Sequence, residues 1–265
     1  MLNYAIDERD VATLTLDRPD VHNAFNAELI AALTQRFERL AEAPPRILVL
    51  AGAGRSFSAG ADLGWMRSMA EAGEDENRAD AERLAAMFRA LDALPCPVIA
   101  RVHGPAFGGG VGLVACCDMA IAVDDARLGL TEVRLGLIPA TIAPFVLARI
   151  GPAAARRYFL TGERFDAEEA RRIGLVDEVV APDRLDDAVA ERIEALLACG
   201  PRAIAECKAL IQRVAAFEGG LQELDAITAE WIARIRVSDE GQTGLRAFLD
   251  KQRPDWSRRD RTPEP

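Results

Sequence analysis

Ile47-Leu48-Val49-Leu50-Ala51 runs into Gly52-Ala53-Gly54-Arg55-Ser56-Phe57-Ser58-Ala59-Gly60-Ala61-Asp62-Leu63, and the same order returns downstream, where Pro97-Val98-Ile99-Ala100-Arg101-Val102 runs into Gly104-Pro105-Ala106-Phe107-Gly108-Gly109-Gly110. The first half begins with a continuous apolar run and the second with a run broken only by Arg101, each of the length of a buried strand. Each ends in a glycine cluster that precedes more chain of helical pattern. A strand, a glycine loop and a helix start belong to an α/β sheet, and ligands of such sheets gather outside the carboxyl ends of the strands.

Working outward, Val11-Ala12-Thr13-Leu14-Thr15-Leu16 alternates as a sheet edge and stops at Asp17-Arg18-Pro19. Asn26 is placed to cap a helix over 27–41, with Leu29, Leu33, Phe37 and Leu40 on one stripe. The pattern predicts further helices over 74–94, 111–117, 141–150, 153–160, 167–173, 183–198 and 201–216, and strands over 119–123 and 175–180. From Gly219-Gly220 onward it is purely helical, and Leu221, Leu224, Ile227, Trp231, Ile232 and Ile235 share a face that needs cover from the chain's own core or from a second subunit. The chain therefore divides into an α/β region, 1–198, and a helical region, 199–265.

With 265 residues, half of them hydrophobic and 28% charged, the chain can bury a large core without disulfides. A net charge of -10 argues against nucleic acid as a partner, because that affinity comes from clustered Lys and Arg. Five cysteines, with Cys116 and Cys117 adjacent and no Cys-x-x-Cys pair, point to a reducing compartment. His22 and His103, far apart in sequence, offer no zinc spacing, so no metal is expected. No membrane-spanning run and no signal or transit peptide is visible from Met1 to Glu8, so cytoplasm is the expected location.

Glycine at the end of a strand lets a ligand approach the backbone, and N–H groups at a helix start are unsatisfied and partly positive. Two of them converging from different loops make an oxyanion hole. Taken singly, either loop reads better as a plain turn or a close packing point than as a catalytic device. Other devices do not fit: Gly108-Gly109-Gly110-Val111-Gly112-Leu113 misses G-x-G-x-x-G, no phosphate-binding G-x-x-x-x-G-K-[ST] occurs, and Gly54-Arg55-Ser56-Phe57-Ser58 lacks the last glycine of a nucleophile elbow.

Taken together, Gly54 to Leu63, Ala106 to Gly110 and Cys117-Asp118 resemble the crotonase superfamily of enoyl-CoA hydratases and isomerases. Supporting runs are Asp17-Arg18-Pro19, Asn23-Ala24-Phe25, Leu130-Thr131-Glu132, Leu135-Gly136-Leu137-Ile138-Pro139, Thr161-Gly162-Glu163, Gly174-Leu175-Val176-Asp177 and Ser238-Asp239-Glu240-Gly241. The resemblance implies an α/β crotonase fold, a spiral of ββα repeats followed by a C-terminal helical trimerisation region, with a homotrimer or dimer of trimers as the assembly. It implies an acyl-CoA thioester as substrate, no further cofactor, and the backbone N–H groups of Ala61 and Gly109 as donors to the thioester oxygen. It extends the CoA-binding surface to His22, Ala24, Ala59, Asp62 and Leu63.

Hydratases of the superfamily carry two glutamates. Here the first position holds Gly112, and the second, twenty residues on, holds Glu132. One carboxylate suffices for proton transfer beside a polarised thioester, as in the isomerases. Hydration stays open if Glu132 also positions water, or if a carboxylate in the substrate replaces the missing acid. A surface glutamate paired with Arg134 is the plain alternative, and an acyl-CoA-binding protein without activity is the alternative to an enzyme. Leu63-Gly64-Trp65-Met66-Arg67, the glycine at 112 and Thr131 to Pro144 look most like 3-methylglutaconyl-CoA and isohexenylglutaconyl-CoA hydratases, whose substrates carry a distal carboxylate. Asp62 fits a helix cap better than an acid, His103 a hydrogen-bonded histidine better than a base, and Trp65 and Met66 either core or acyl pocket.

Overall fold

A computed structural model describes residues 1–254 and residue 256, so part of the expected 199–265 region lies outside the described residues. In chain order the elements are β1 (Leu2–Ile6), β2 (Val11–Leu16), α1 (Ala27–Glu42), β3 (Ile47–Gly52), α2 (Leu63–Glu71), α3 (Glu74–Asp92), β4 (Val98–Val102), β5 (Ala106–Phe107), α4 (Gly109–Cys116), β6 (Met119–Val123), β7 (Arg127–Gly129), α5 (Ala143–Thr161), β8 (Arg164–Asp166), α6 (Ala167–Arg172), β9 (Glu178–Val180), α7 (Leu185–Leu197), α8 (Pro201–Ala215), α9 (Leu221–Val237) and α10 (Asp239–Leu249).

The two apolar runs become neighbours in the middle of a six-stranded sheet ordered β1-β2-β3-β4-β6-β9, where β3 and β4 pair in parallel with Leu48 opposite Val98. All pairs in it are parallel except β1 with β2. Leu48, Leu50, Val98 and Ile99 are fully buried, and each such side chain contributes about 1.5–3 kcal/mol by leaving water. In a second, small sheet, β5-β7-β8, β5 and β7 directly follow the main-sheet strands β4 and β6, and β8 follows α5. The passages β4-β5-α4 and β6-β7-α5 are the repeating ββα unit.

Val11–Leu16 is not the sheet edge that its alternation suggested. β1 lies outside it, antiparallel, with Leu2 opposite Leu16. Its sequence Leu-Asn-Tyr-Ala-Ile is half to fully exposed and carries little β signal of its own. The helices expected over 141–150 and 153–160 are both present within α5, separated where Gly151 leaves helical geometry at φ +68° ahead of Pro152, which cannot donate to the preceding turn. The strand expected over 175–180 shortens to β9. Asn26 caps α1 as expected, its side chain accepting from the Leu29 N–H at 2.9 Å.

By contact the chain divides into two units, Met1–Glu191 and a second that begins at Arg192. Inside the second unit Glu240 closes the start of α8 by accepting from the N–H groups of Arg202 (3.0 Å) and Ala203 (2.8 Å). The same unit leaves Leu221, Val237, Phe248 and Leu249 at least three-quarters exposed.

Candidate active site

The first glycine loop is held by a buried asparagine. Asn23, with φ +55°, donates through Nδ2 to the carbonyls of Ala53 (2.8 Å), Ser56 (2.8 Å) and Phe57 (3.2 Å), while its Oδ1 accepts from the Arg18 N–H at 2.9 Å. Ser58, also buried, donates from Oγ to the Asn23 carbonyl at 2.9 Å and accepts from the Gly60 N–H at 3.3 Å. The Phe25 N–H donates to the Gly60 carbonyl (2.6 Å) and the Asp62 N–H to the Phe25 carbonyl (2.8 Å). Polar groups alternate sides along an extended backbone, so the N–H of Ala61, between these two bonds, faces away from Phe25.

The second loop is seated on the first. The Phe107 N–H donates to the Ser58 carbonyl at 2.9 Å, and the Ser58 N–H donates to the Pro105 carbonyl at 3.2 Å. No side chain fits the junction: a Cβ on Gly110 would stand 2.4 Å from the Ser58 carbonyl oxygen, and one on Gly109 2.5 Å from the Phe25 ring. A Cβ on Gly60 would stand 2.7 Å from the Phe107 carbonyl oxygen and 3.4 Å from the Gly109 nitrogen. The peptide between Gly60 and Ala61 therefore lies beside the Gly109 N–H, which opens α4 and has no acceptor within its own helix.

Glu132 joins these donors. It is the first residue of a 3-10 turn, Glu132–Leu135, closed by Gly136 at φ +72°. Its Oε1 lies 3.0 Å from where a Cβ on Gly108 would be, and Gly108 itself takes φ +50°. Oε2 is buried with no hydrogen-bond partner. Loss of hydration pushes the carboxyl above the usual carboxylate range. Arg134 is not its partner, because that side chain lies against Gly162, whose Cβ would stand 3.2 Å from Arg134 Nε.

The position of the other acid is filled. Gly112 is buried in α4, and a Cβ there would meet Ile142 Cγ2 at 2.3 Å and the Phe88 ring at 2.9 Å. Phe88 is in turn packed edge-on against Phe25, with centroids 6.3 Å apart, and tilted against Phe145 at 6.1 Å. A side chain at position 112 has no room without displacing Ile142 or Phe88.

Asp62 caps α2, accepting from the Gly64 N–H at 2.8 Å, and pairs with Arg18 Nη2 at 3.1 Å. Its side chain is thereby committed to holding the loop. The Arg18 guanidinium also donates to the carbonyl of Ala24, which is buried. His22 is exposed, in the left-handed region at φ +54°, with Nδ1 3.0 Å from Ser56 Oγ, and its carbonyl accepts from the Ala59 N–H at 2.9 Å. Leu63 is 81% exposed at the start of α2. His103 donates from Nε2 to the Gly54 carbonyl at 3.1 Å, and burial lowers its pKa. Cys116 and Cys117 are buried free thiols, and burial pushes the Cys116 thiol well up. Among the described residues no three His, Cys, Asp or Glu side chains gather as a metal site, and no helix is long and apolar enough to cross a membrane.

Reading residues in sequence missed the roles of Asn23, Ser58 and Phe25, which set where the Ala61 N–H points. The available signal was an asparagine and an aromatic residue in one short run, Asn23-Ala24-Phe25, and their partners lie more than thirty residues away.

The family model for enoyl-CoA hydratase/isomerase matches residues 7–259. A crotonyl-CoA hydratase of Syntrophomonas wolfei is 32% identical over 255 residues, which is 94% of this chain and 95% of that protein. The crystal structure of an enoyl-CoA hydratase from Shewanella pealeana superposes with a TM-score of 0.91 at 44% identity, covering 96% of this chain and 95% of that one. One from Mycobacterium smegmatis gives 0.91 at 38% identity, covering 97% and 99%. The α/β sheets, the ββα repeats and the helical C-terminal region are thus the crotonase fold, and the chain belongs to the enoyl-CoA hydratase/isomerase family.

Proposed function

We propose that the protein adds water to an α,β-unsaturated acyl-CoA thioester, with Ala61 and Gly109 as oxyanion donors and Glu132 as the single proton carrier. The observation that carries this reading is the carboxyl of Glu132, set with Oε1 against Gly108, the residue before Gly109, and with Oε2 buried and unpaired. The two N–H groups hold the thioester oxygen and draw electrons from the double bond. Water then attacks the β-carbon and gives its proton to the ionised Glu132, while the π pair moves onto the oxygen as an enolate. Glu132 returns the same proton to the α-carbon, so the product gains one water and the enzyme ends as it began. Each backbone donor is worth about 3 kcal/mol of barrier in such sites.

Coenzyme A belongs to the substrate, and no other cofactor enters the scheme. The acyl group favoured is 3-methylglutaconyl-like, supported by the run Leu63 to Arg67 and by glycine at 112. A carboxylate carried by the substrate is the other source of an acid in this reading, since Ile142 and Phe88 leave no room for a side chain at Gly112 itself. The exposed apolar residues of the second unit support self-association, as a homotrimer or dimer of trimers.

A second reading, Δ3,Δ2-enoyl-CoA isomerase, is favoured by the apolar surroundings of Gly112, since moving a double bond needs only one proton carrier. The test is loss of enoyl-thioester absorbance with crotonyl-CoA and 3-methylglutaconyl-CoA. Glu132→Gln is expected to slow the better substrate by about 10²- to 10⁴-fold. Full rate in Glu132→Gln would contradict the mechanism. Conversion of a β,γ-enoyl thioester without hydration would favour the isomerase, and tight binding without turnover an acyl-CoA-binding protein.

A further inference from the structure

Phe25 meets both glycine loops, each through a different part of the residue. Its backbone brackets Ala61: the Phe25 N–H donates to the Gly60 carbonyl at 2.6 Å, and its carbonyl accepts from the Asp62 N–H at 2.8 Å. Its ring lies against Gly109, where a Cβ would stand 2.5 Å from Phe25 Cε2 and 2.9 Å from Cδ2. The residue is fully buried, so the ring cannot swing into solvent to relieve that contact.

The ring is itself backed. Gly109 and Gly112 are three residues apart and share a face of α4. Each is a notch filled by a phenyl ring: Phe25 at Gly109, and Phe88 of α3 at Gly112, whose Cβ would stand 2.9 Å from Phe88 Cε1 and 3.0 Å from Cζ. The two rings meet edge-on, with centroids 6.3 Å apart and planes at 61°. They form one wedge along that face. A close-packed interior transmits strain, so the thickness of the wedge fixes how near the start of α4 comes to the segment that holds Ala61. The bonds to Gly60 and Asp62 are made by backbone alone and survive any substitution at 25 but proline.

We infer that Phe25 is the positioning residue that sets the spacing between the two oxyanion donors: its ring seats the Gly109 N–H in register with the Ala61 N–H that its backbone aims, and Phe88 holds the ring in place. The inference rests on the enoyl-CoA reading above. It also gives glycine at 112 a use, because the space of an acid side chain there is taken by the ring that backs Phe25.

The test measures kcat and KM on the better enoyl-CoA thioester. Phe25→Leu is expected to lower kcat about tenfold and Phe25→Ala about 10²-fold, with KM within about threefold, since a displaced donor is felt in the transition state more than in the bound thioester. Phe88→Leu is expected to lower kcat less, and the double variant with Phe25→Leu to lose less than the product of the single effects, because both disturb one spacing. Phe37→Leu, which trims a buried ring of α1, is the control for lost packing: it should melt lower with kcat within about twofold of the wild type. A Phe25→Leu variant that melts lower yet keeps kcat within about twofold overturns the inference and leaves the enoyl-CoA reading intact. Single effects that multiply in full overturn the role given to Phe88. Should Phe25→Ala not fold, the two leucine variants carry the test.

A second readout needs no turnover. The thioester carbonyl stretch of bound butyryl-CoA, which has no double bond to react, is expected at lower frequency than in free butyryl-CoA and part-way back to the free value in Phe25→Leu. The same stretch in the wild type and in Phe25→Leu overturns the inference. A wild type that binds butyryl-CoA with this lowered stretch but hydrates and isomerises no enoyl thioester overturns the enoyl-CoA reading, and the comparison with Phe25→Leu still decides the role of the ring.

Discussion

The loop that carries Ala61 and the loop that carries Gly109 deliver one N–H each, yet they are held in opposite ways. The first is fixed by what its side chains do: Asn23 gathers three carbonyls, Ser58 ties Asn23 to Gly60, and Asp62 caps α2. The second is fixed by having no side chains, since Gly108, Gly109 and Gly110 press against Glu132, Phe25 and Ser58. One donor is positioned by hydrogen bonds and the other by close packing. The two should therefore fail differently, one by deletion and one by addition.

Addition is expected to do the most damage. In Gly110→Ala the new Cβ meets the Ser58 carbonyl oxygen at 2.4 Å, a backbone atom that cannot rotate away. Both loops must shift, and a displacement near 1 Å costs about 10²-fold in rate in oriented sites, so kcat/KM on the better enoyl-CoA should fall by about that factor. A change below about twofold would show that the seat of the second loop does not position Gly109.

Deletion in the first loop is expected to cost stability first. Asn23→Ala leaves the carbonyls of Ser56 and Phe57 without their buried donor, and denaturant unfolding should report a loss of about 2 kcal/mol. The loss in kcat should accompany it with KM less affected, since the Ala61 N–H acts on the enolate more than on the bound thioester. Unchanged stability would mean that the loop is held by something other than Asn23.

The smallest effect on stability concerns Glu132, whose carboxyl lies against Gly108 of the second loop. Burial raises its folded pKa, so the protonated form is favoured in the folded chain at low pH. The stability that this contributes is present below the ordinary glutamate pKa and is lost as pH rises through the raised folded value. Glu132→Gln should thus melt higher than the wild type at neutral to alkaline pH, with the gap closing in acid. In the same window kcat/KM of the wild type should fall as pH drops through the raised pKa, because the resting carboxylate must be ionised. A melting gap that widens in acid would reverse the sign assigned to this group.

The strands that position the site were readable because Ile47 to Ala51 is apolar on both faces and Val98 to Val102 is apolar but for Arg101, and that pattern needs no partner to interpret. Glu132 was readable by spacing and type. What the sequence could not show depended on distant contacts. The direction of the Ala61 N–H comes from its bridge to Phe25, and the apolar filling around Gly112 comes from Phe88 on α3 and Ile142 before α5. β1, β5 and β8 were hidden for a local reason, being too short or too exposed for alternation to register. Arg134 looked like a partner of Glu132 by proximity in sequence, but the 3-10 turn sends it to Gly162 instead.

The most direct measurement is a crystal structure with a bound, unreactive acyl-CoA thioester. The thioester oxygen is expected within about 2.7–3.1 Å of both the Ala61 and Gly109 nitrogens, with the Glu132 carboxyl facing the adjacent carbons. An oxygen bound by one of these N–H groups or by neither, or a Glu132 turned out to water in the complex, would contradict the assignment of the site.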